Sequence, residues 1–251
     1  MHQNIWGMTM PTAAMHECIE RDAFCARWLL NAPGPRVHPA TIDRAISERL
    51  REIVARSRCE LRVNDLTTDV GIPVYSASLH PRGSLRGVVY GASANVDPRI
   101  AIEKAVTEAF QSLCWAVQAI ETRNVSAMRP EDIVDYMDHA AYYLDESRAD
   151  SIEWFSAPHD EGPCDSVVLG DGRTAVERVL EFGLDPVFVD FTNQNLQAIG
   201  MRAGRVIVPG LHPLHAGYGL EPQDRRRLDK LGAWLGCSSG SQLNKSPHPF
   251  P

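Results

Sequence analysis

Apolar residues at helical spacing dominate the first sixty positions of the chain. The run from Thr12 to Leu30 predicts a helix that is capped by Thr12 and ended by the Pro/Gly-rich residues 31–35. A second helix is predicted over residues 39–57, where the apolar residues at helical spacing are Ile42, Ile46, Leu50, Ile53 and Val54. The chain therefore opens with two predicted helices.

Three strand-like runs come next. Residues 59–66 alternate between apolar and polar side chains, residues 73–79 are rich in strand-forming side chains, and residues 88–90 form a short apolar run. The small residues at 91–98 predict a loop that leads into another helix.

The second half of the chain has a weaker pattern. The polar residues 123–162 predict a helix-loop insertion, in which His139, Tyr142 and Tyr143 serve helix packing. Beyond it, the pattern predicts strands over 166–169 and 187–191, a strand and turn over 205–211, and a helix over 174–182. An Asn/Gln-rich helix or turn is predicted to end at Ile199. Strands mixed with helices of ordinary length predict a layered α/β domain of the mixed, α+β kind.

Composition narrows the function classes. The chain has 251 residues, of which 44% are hydrophobic, so it can bury a real core. Its formal net charge is −7 and no basic stripe is present, which argues against nucleic-acid binding. The six cysteines are scattered without metal-ligand spacing, as in reduced cytoplasmic proteins. No apolar run is long enough to predict a membrane span.

Acidic and amide side chains recur three positions apart on two of the predicted helices. Glu17 with Glu20, and Glu108 with Gln111, each share a helical face with Cβ atoms about 5–6 Å apart. Apolar neighbours suggest that both faces are interior, where an unpaired carboxylate costs several kcal/mol. A magnesium ion that also carries nucleotide phosphates would neutralise these charges, because hard cations select oxygen ligands.

Two simpler interpretations of the same residues stay open. Such acidic pairs are common on solvated helix faces. Arg21, Arg27 and Lys104 could also neutralise them as salt-bridge partners.

Two further features are candidates for function. Alternating prolines predict that residues 244–251 form an extended arm, and Phe250 between two prolines indicates that the arm docks on the domain. His212 and His215 have a spacing that could bind a metal, but we expect a rim or structural role because no third ligand is evident.

Five segments, taken in order, carry a resemblance to a known family. The segments are Glu17–Phe24 (E-x-I-E-R-D-A-F in the family), Ala105–Gln111 (A-L-T-E-A-x-Q), Val189–Thr192 (V-D-L-T), Arg205–Leu211 (R-V-x-V-P-G-L) and Pro247–Pro251 (P-x-P-x-P). Together they resemble the YcaO family, and within it the azoline-forming cyclodehydratases, the D proteins of thiazole/oxazole-modified microcin pathways. The resemblance implies one YcaO-type domain over residues 1–251 that lacks the amino-terminal part, with both acidic helices facing a nucleotide cleft.

The resemblance also implies roles for particular residues. Glu17, Glu20 and Glu108 would hold Mg²⁺, and the residues that would lie close to ATP are Arg21, Gln111 and Arg205. The prolines of the arm that would project into the active site and support catalysis are Pro247, Pro249 and Pro251.

The chemistry implied by the resemblance is ATP-dependent cyclodehydration of a ribosomally made precursor peptide. The side chain of a Cys, Ser or Thr adds to the preceding backbone amide, ATP phosphorylates the amide oxygen, and loss of phosphate leaves an azoline. The implied partners are the precursor peptide, a leader-binding partner protein and a second copy of the chain in a homodimer.

Alternative functions follow from departures from the family pattern. The segment that supplies a lysine or serine to the nucleotide is expected upstream of Glu17, and Ser112 stands where some relatives have arginine. These departures suggest a non-catalytic scaffold or peptide-binding protein. Thioamide formation, with external sulfide as the nucleophile, is a further alternative within the family.

Overall fold

The computed structural model describes residues 10–83, 86–157, 172–221, 225–237 and 242–250. Its helices are α1 (Met10–Leu29), α2 (Pro39–Ala45), α3 (Glu48–Arg56), α4 (Pro98–Thr122), α5 (Tyr136–Tyr142), α6 (Glu146–Ser151), α7 (Glu153–Ser156), α8 (Ala175–Glu181), α9 (Gln194–Ala198) and α10 (Arg225–Trp234). Its strands are β1 (Cys59–Asp65), β2 (Val74–Pro81), β3 (Val89–Ala94), β4 (Val187–Asp190) and β5 (Gly204–Ile207). The mixed, layered class expected from the sequence is confirmed.

The main sheet is antiparallel and lies between the two longest helices. Its order is β1-β2-β3, so β3 is an edge strand among the described residues. Alternate side chains of β2 and β3 enter different cores, as the pleat of a strand requires. Val74 and Tyr90 join a core that includes residues of α1, whereas Ala77 and Val89 join a core with α4. Helices α1 and α4 therefore cover opposite faces of one sheet.

A second, two-stranded sheet lies beside α1. Strands β4 and β5 pair antiparallel, with Val187 opposite Ile207 and Asp190 opposite Gly204. Val206 of β5 is buried and joins the same core as α1, whereas the side chains of β4 are exposed. Strand β5 therefore connects this sheet to the body of the domain.

Two expectations about local structure are wrong. The predicted helix over residues 39–57 is two helices, because Ile46 and Ser47 adopt extended backbone angles. The Ser47 amide donates to the Glu103 carboxylate of α4 at 3.2 Å, and this tertiary contact holds the break. The predicted loop over 91–98 is also partly wrong, because Gly91–Ala94 complete strand β3. The strand predicted over 166–169 lies outside the described residues.

Helix α10 was not anticipated, and it closes a buried ion network. Arg227 makes a bidentate contact with Asp22 of α1, with the shortest N–O distance at 2.7 Å, and it also lies 2.8 Å from Asp69. All three side chains are nearly inaccessible to solvent. Leu228 and Leu231 pack beside this network against α1, in a third and smaller hydrophobic cluster.

The polar region predicted as an insertion supplies core residues. Within it, α5, α6 and α7 are short helices, and Tyr143, Ile152 and Phe155 are buried in the core that includes α1. Tyr143 thus serves packing, as expected, while the boundaries 123–162 stay a prediction. No helix in the described part of the chain combines the length and apolar character needed to span a bilayer.

Candidate functional site

The carboxylates of α1 and α4 meet at the edge of β3. Glu108 of α4 accepts a hydrogen bond from the Ala92 amide at 3.3 Å, and Glu20 of α1 is hydrogen-bonded by the backbone of Ala94. Amides two residues apart on a strand point toward the same edge. The helices that cover opposite faces of the sheet therefore direct carboxylates to one edge strand.

Gly91 explains why α4 comes so close to β3. A Cβ atom at position 91 would lie 2.4 Å from the amide nitrogen of Ala109 and 2.5 Å from the carbonyl oxygen of Ala105. Only glycine permits the backbones of strand and helix to approach so closely. This contact places Glu108 opposite Ala92.

Burial and mutual repulsion disfavour the charged forms of these carboxylates. The pKa of Glu20 is raised well above its usual value by burial first, and then by the charges of Glu108 and Glu17. Burial also raises the pKa of Glu108 to about 7, although the Ala92 hydrogen bond and Arg21 oppose the shift. The charged forms of Glu20 and Glu108 are thus disfavoured by burial and by neighbouring negative charge, which is the condition a bound cation would relieve.

Arg21 is the cation that the chain itself supplies to this cluster. Its guanidinium pairs with Glu17 at 2.5 Å, so the salt-bridge interpretation holds for Glu17. Its Nε atom is buried without a hydrogen-bond partner. Arg27 and Lys104 are not ion-pair partners of the cluster: Arg27 donates to backbone carbonyls, and Lys104 is exposed.

A cavity of about 330 Å³ opens beside Glu17 and Arg21. Arg205 of β5 lines its other side, so the two arginines expected near phosphate share one cavity. Gln111, by contrast, is an exposed residue of α4 and does not line this cavity. A cavity bordered by two guanidinium groups and a carboxylate suits an anionic ligand that brings a cation with it.

The C-terminal arm is docked in the domain, as Phe250 predicted. Residues Pro247, His248, Pro249 and Phe250 are buried, and the Tyr143 hydroxyl donates to the Pro247 carbonyl at 2.6 Å. Trp28 of α1 donates its indole N–H to the carbonyl of Ser246 at 3.0 Å. Pro251 lies outside the described residues. The arm is therefore part of the fold that carries the acidic helix α1.

A cluster of three histidines was missed by the sequence analysis. His215 lies beside His139 of α5 and His248 of the arm, two neighbours that the spacing of His212 and His215 does not indicate. The rim or structural role expected for His212 and His215 stays a prediction. His212 does not belong to this group and instead donates its backbone amide to Asp22. The arm, α5 and the loop after β5 are remote in sequence, and no spacing could have predicted their meeting.

The sequence of this chain matches the model of a known protein family. The model of that family, described as YcaO cyclodehydratase, ATP- and Mg²⁺-binding, matches residues 11–212. The chain therefore belongs to the YcaO family.

Two curated relatives are themselves uncharacterized. A protein of Methanothermobacter thermautotrophicus is 29% identical over 206 residues, which cover 78% of this chain and 50% of that protein. A protein in the tfuA 3′ region of Rhizobium leguminosarum bv. trifolii is 31% identical over 125 residues, which cover 44% of this chain and 30% of that protein. The chain thus spans at most about half the length of these relatives.

Solved structures share the fold. A heterocyclase in complex with substrate and cofactor superposes with a TM-score of 0.69 at 23% identity, covering 95% of this chain and 31% of that one. The heterocyclase TruD superposes with a TM-score of 0.64 at 22% identity, and the match covers 94% of this chain and 32% of that one. A chain of the E. coli microcin synthetase McbBCD complex superposes with a TM-score of 0.62 at 14% identity, and the match covers 94% of this chain and 59% of that one. At these identities the likeness shows the fold.

Proposed function

We propose that this chain carries the nucleotide site of an ATP- and Mg²⁺-dependent peptide cyclodehydratase. The observation that carries the proposal is the meeting of Glu17, Glu20 and Glu108, from two helices far apart in sequence, in a chain of the YcaO family. A scaffold protein would have no physical need to bring three repelling carboxylates together.

The carboxylate cluster fits a hard divalent cation. Glu17, Glu20 and Glu108 would hold Mg²⁺, because each offers oxygen ligands and the charge of the ion would offset the repulsion that raises the pKa values of Glu20 and Glu108. When bound, the ion would supply positive charge to the phosphates of ATP and to the phosphoryl group as it transfers.

The arginines fit the phosphates. Arg21 has a buried Nε–H without an acceptor, and Arg205 faces the same cavity. Charge-assisted hydrogen bonds from guanidinium groups to phosphate oxygens are strong and directional. Gln111, which lies exposed on α4 three positions after Glu108, would also contact the nucleotide.

The proposed reaction removes one water from a precursor peptide for each ring. The thiol or hydroxyl of a Cys, Ser or Thr forms a bond to the carbonyl carbon of the preceding residue. ATP transfers its γ-phosphoryl group to the amide oxygen and leaves as ADP, which makes that oxygen a leaving group. The C–O bond then breaks with release of phosphate, and the amide nitrogen forms the C=N bond of the azoline. The side-chain proton and the amide proton are released to solvent, so the peptide loses the elements of one water. The chain's own task is to orient both substrates and to stabilise the negative charge that develops.

The arm would support catalysis by holding α1 in place. Pro247 and Pro249 are buried, and their fixed φ angles mean that the arm loses little entropy when it docks. Pro251 would extend the same pattern in the sequence. We further propose that the protein works in the cytoplasm as a homodimer, with a leader-binding partner protein that delivers the precursor peptide.

The test is an assay with a Cys-, Ser- or Thr-containing precursor peptide and its leader-binding protein. We expect release of ADP and phosphate together with a mass loss of about 18 Da per ring, the mass of the water eliminated in a covalent ring closure. Glu108→Gln should abolish both signals, whereas Glu121→Gln, an exposed site on the same helix, should retain them. A product that gains sulfur would indicate thioamide formation instead, and peptide binding without ADP release would favour the scaffold.

A further inference from the structure

Three buried histidines converge where the C-terminal arm docks. His139 and His248 are fully inaccessible to solvent and His215 is 7% exposed. One ring nitrogen from each of them lies within 4.8 Å of the others. Since His248 belongs to the arm, the cluster joins the end of the chain to α5 and to the loop after β5.

Backbone carbonyls fix the tautomers of two rings. His139 Nδ1 lies 3.1 Å from the carbonyl oxygen of His248, and His248 Nε2 lies 2.8 Å from the carbonyl oxygen of His215. A carbonyl only accepts, so each of these nitrogens carries the proton. The lone pairs therefore reside on His139 Nε2 and His248 Nδ1, and both atoms are buried without a hydrogen-bond partner.

This arrangement matches the environment of metal-binding histidines. A histidine ligand commonly donates its second ring N–H to a backbone carbonyl, which orients the other nitrogen toward the metal. A buried acceptor that finds no partner costs about 1–3 kcal/mol, so two such atoms in one cluster need an explanation. Packing alone accounts for the stacking of His139 on His248, with ring centroids 3.8 Å apart, but leaves both lone pairs unsatisfied.

We propose that His139, His215 and His248 bind a borderline divalent transition metal of the Zn²⁺ type, which fastens the C-terminal arm to the domain. Three imidazoles without a carboxylate select such ions over Mg²⁺. Nitrogens 4.8 Å apart lie up to about 2.8 Å from a common centre, so each must move by about 0.7 Å to reach a Zn–N distance of 2.0–2.1 Å. One of the stacked rings must turn as the site closes.

The surroundings favour the neutral, ligating form of the rings. Burial lowers the pKa of His139 to about 4, and it also lowers the pKa of His215 and His248. The Cys25 thiol lies 3.9 Å from His215 Nδ1, and Cys25 is not one of the three side chains whose ligand atoms converge.

The site goes beyond the proposed reaction, and its test needs no activity. Purified chain, freed of metals by dialysis, is titrated with Co²⁺ as a spectroscopic probe for Zn²⁺. We expect one equivalent to bind with visible d–d bands, and Zn²⁺ to displace it while millimolar Mg²⁺ does not. His248→Gln and His139→Gln should weaken binding by more than roughly 100-fold, since loss of an outer-shell partner alone costs 10–100-fold.

His80→Gln is the matched control, because His80 is largely buried outside the cluster and bonds to Ser78 and Ser156. Retention of Co²⁺ binding in this variant supports the site, and loss of binding in it contradicts the site. Unchanged binding in His248→Gln, or no binding by the wild-type chain, would also overturn the proposal.

A second measurement does not depend on folded variants. Ring ¹⁵N resonances of the wild-type chain, followed by NMR during a Zn²⁺ titration, should show three histidines shifting together at one equivalent. Shifts confined to other histidines would refute the assignment.

Discussion

The ring of Phe250 packs against the ring of Phe24, with 4.8 Å between centroids. Phe24 lies one helical turn after Glu20 on α1, so this contact brings the end of the described chain within one turn of the acidic cluster. Both phenylalanines are almost fully buried. The arm and the acidic helix therefore share one packed interface.

Truncation of Phe250 should destabilise the domain. Phe250→Ala removes a buried ring and leaves a cavity against Phe24, which should lower the free energy of unfolding by about 3–4 kcal/mol in urea titrations. Phe191→Ala is the control, because Phe191 is 60% exposed and its loss should change that free energy by less than about 0.5 kcal/mol. Equal effects of the two substitutions would show that the arm is not docked.

The ion network of α10 should be essential for stability. Arg227→Met leaves Asp22 and Asp69 buried without a cation, so the free energy of unfolding should fall by about 3–5 kcal/mol. Arg225→Met, in the same helix but with its charge 3.8 Å from an exposed Asp229, should cost less than about 1 kcal/mol. Thermal unfolding of both variants measures the difference, and similar midpoints would contradict the buried network.

The acidic cluster should make the metal-free protein less stable as the pH rises. The pKa of Glu108 rises to about 7 on folding, from an ordinary value near 4.5. The free-energy cost of ionising Glu108 in the folded state is therefore absent below pH 4.5, grows as the pH rises toward 7 and is complete above pH 7.

Glu108→Gln isolates this effect from other titrating groups. It should be more stable than the wild-type chain by roughly 1–3 kcal/mol at pH 8, with the difference vanishing near pH 4.5. Glu121→Gln should show no such trend, because Glu121 is exposed on the same helix. Urea titrations at several pH values measure these differences. If the stability of Glu108→Gln relative to the wild-type chain were lower at pH 8 than at pH 4.5, the repulsion would be refuted.

Close packing of β3 on α4 should fail when Gly91 gains a side chain. In Gly91→Ala the new Cβ would lie 2.4 Å from a backbone nitrogen of α4, so strand and helix must separate. We expect a loss of at least 1–3 kcal/mol in the free energy of unfolding, the usual range for overpacking. Gly232→Ala should be nearly neutral, because its Cβ would make ordinary contacts of 3.7 Å or more.

Local sequence patterns predicted most of the helices and strands in which apolar residues recur at a regular spacing. Helix α1 and strands β1 and β2 follow from helical spacing and from runs of strand-forming residues. The break at Ile46 escaped prediction because Glu103, more than fifty positions away, holds it. The sequence of strand β3 resembled a loop because its residues are small. The backbone of α4 comes so close that Gly91 has no room for a side chain.

The candidate site was predictable only in part. Two i,i+3 pairs pointed to Glu17, Glu20 and Glu108, whose electrostatic coupling the structure shows, while Gln111 lies exposed. Leu228, Leu231 and Leu235 have helical spacing that could have revealed α10. The histidine cluster depends on the docking of the arm, a tertiary event that leaves no local pattern.

Calorimetric titration with ATP tests the nucleotide site most directly. We predict that the wild-type chain binds ATP only when Mg²⁺ is present. A double variant, Glu20→Gln with Glu108→Gln, should bind more than tenfold more weakly, a change of over about 1.4 kcal/mol, whereas Glu121→Gln should bind as the wild type does. Binding of ATP that is equally tight without Mg²⁺ or in the double variant, or no binding by the wild-type chain, would contradict the account.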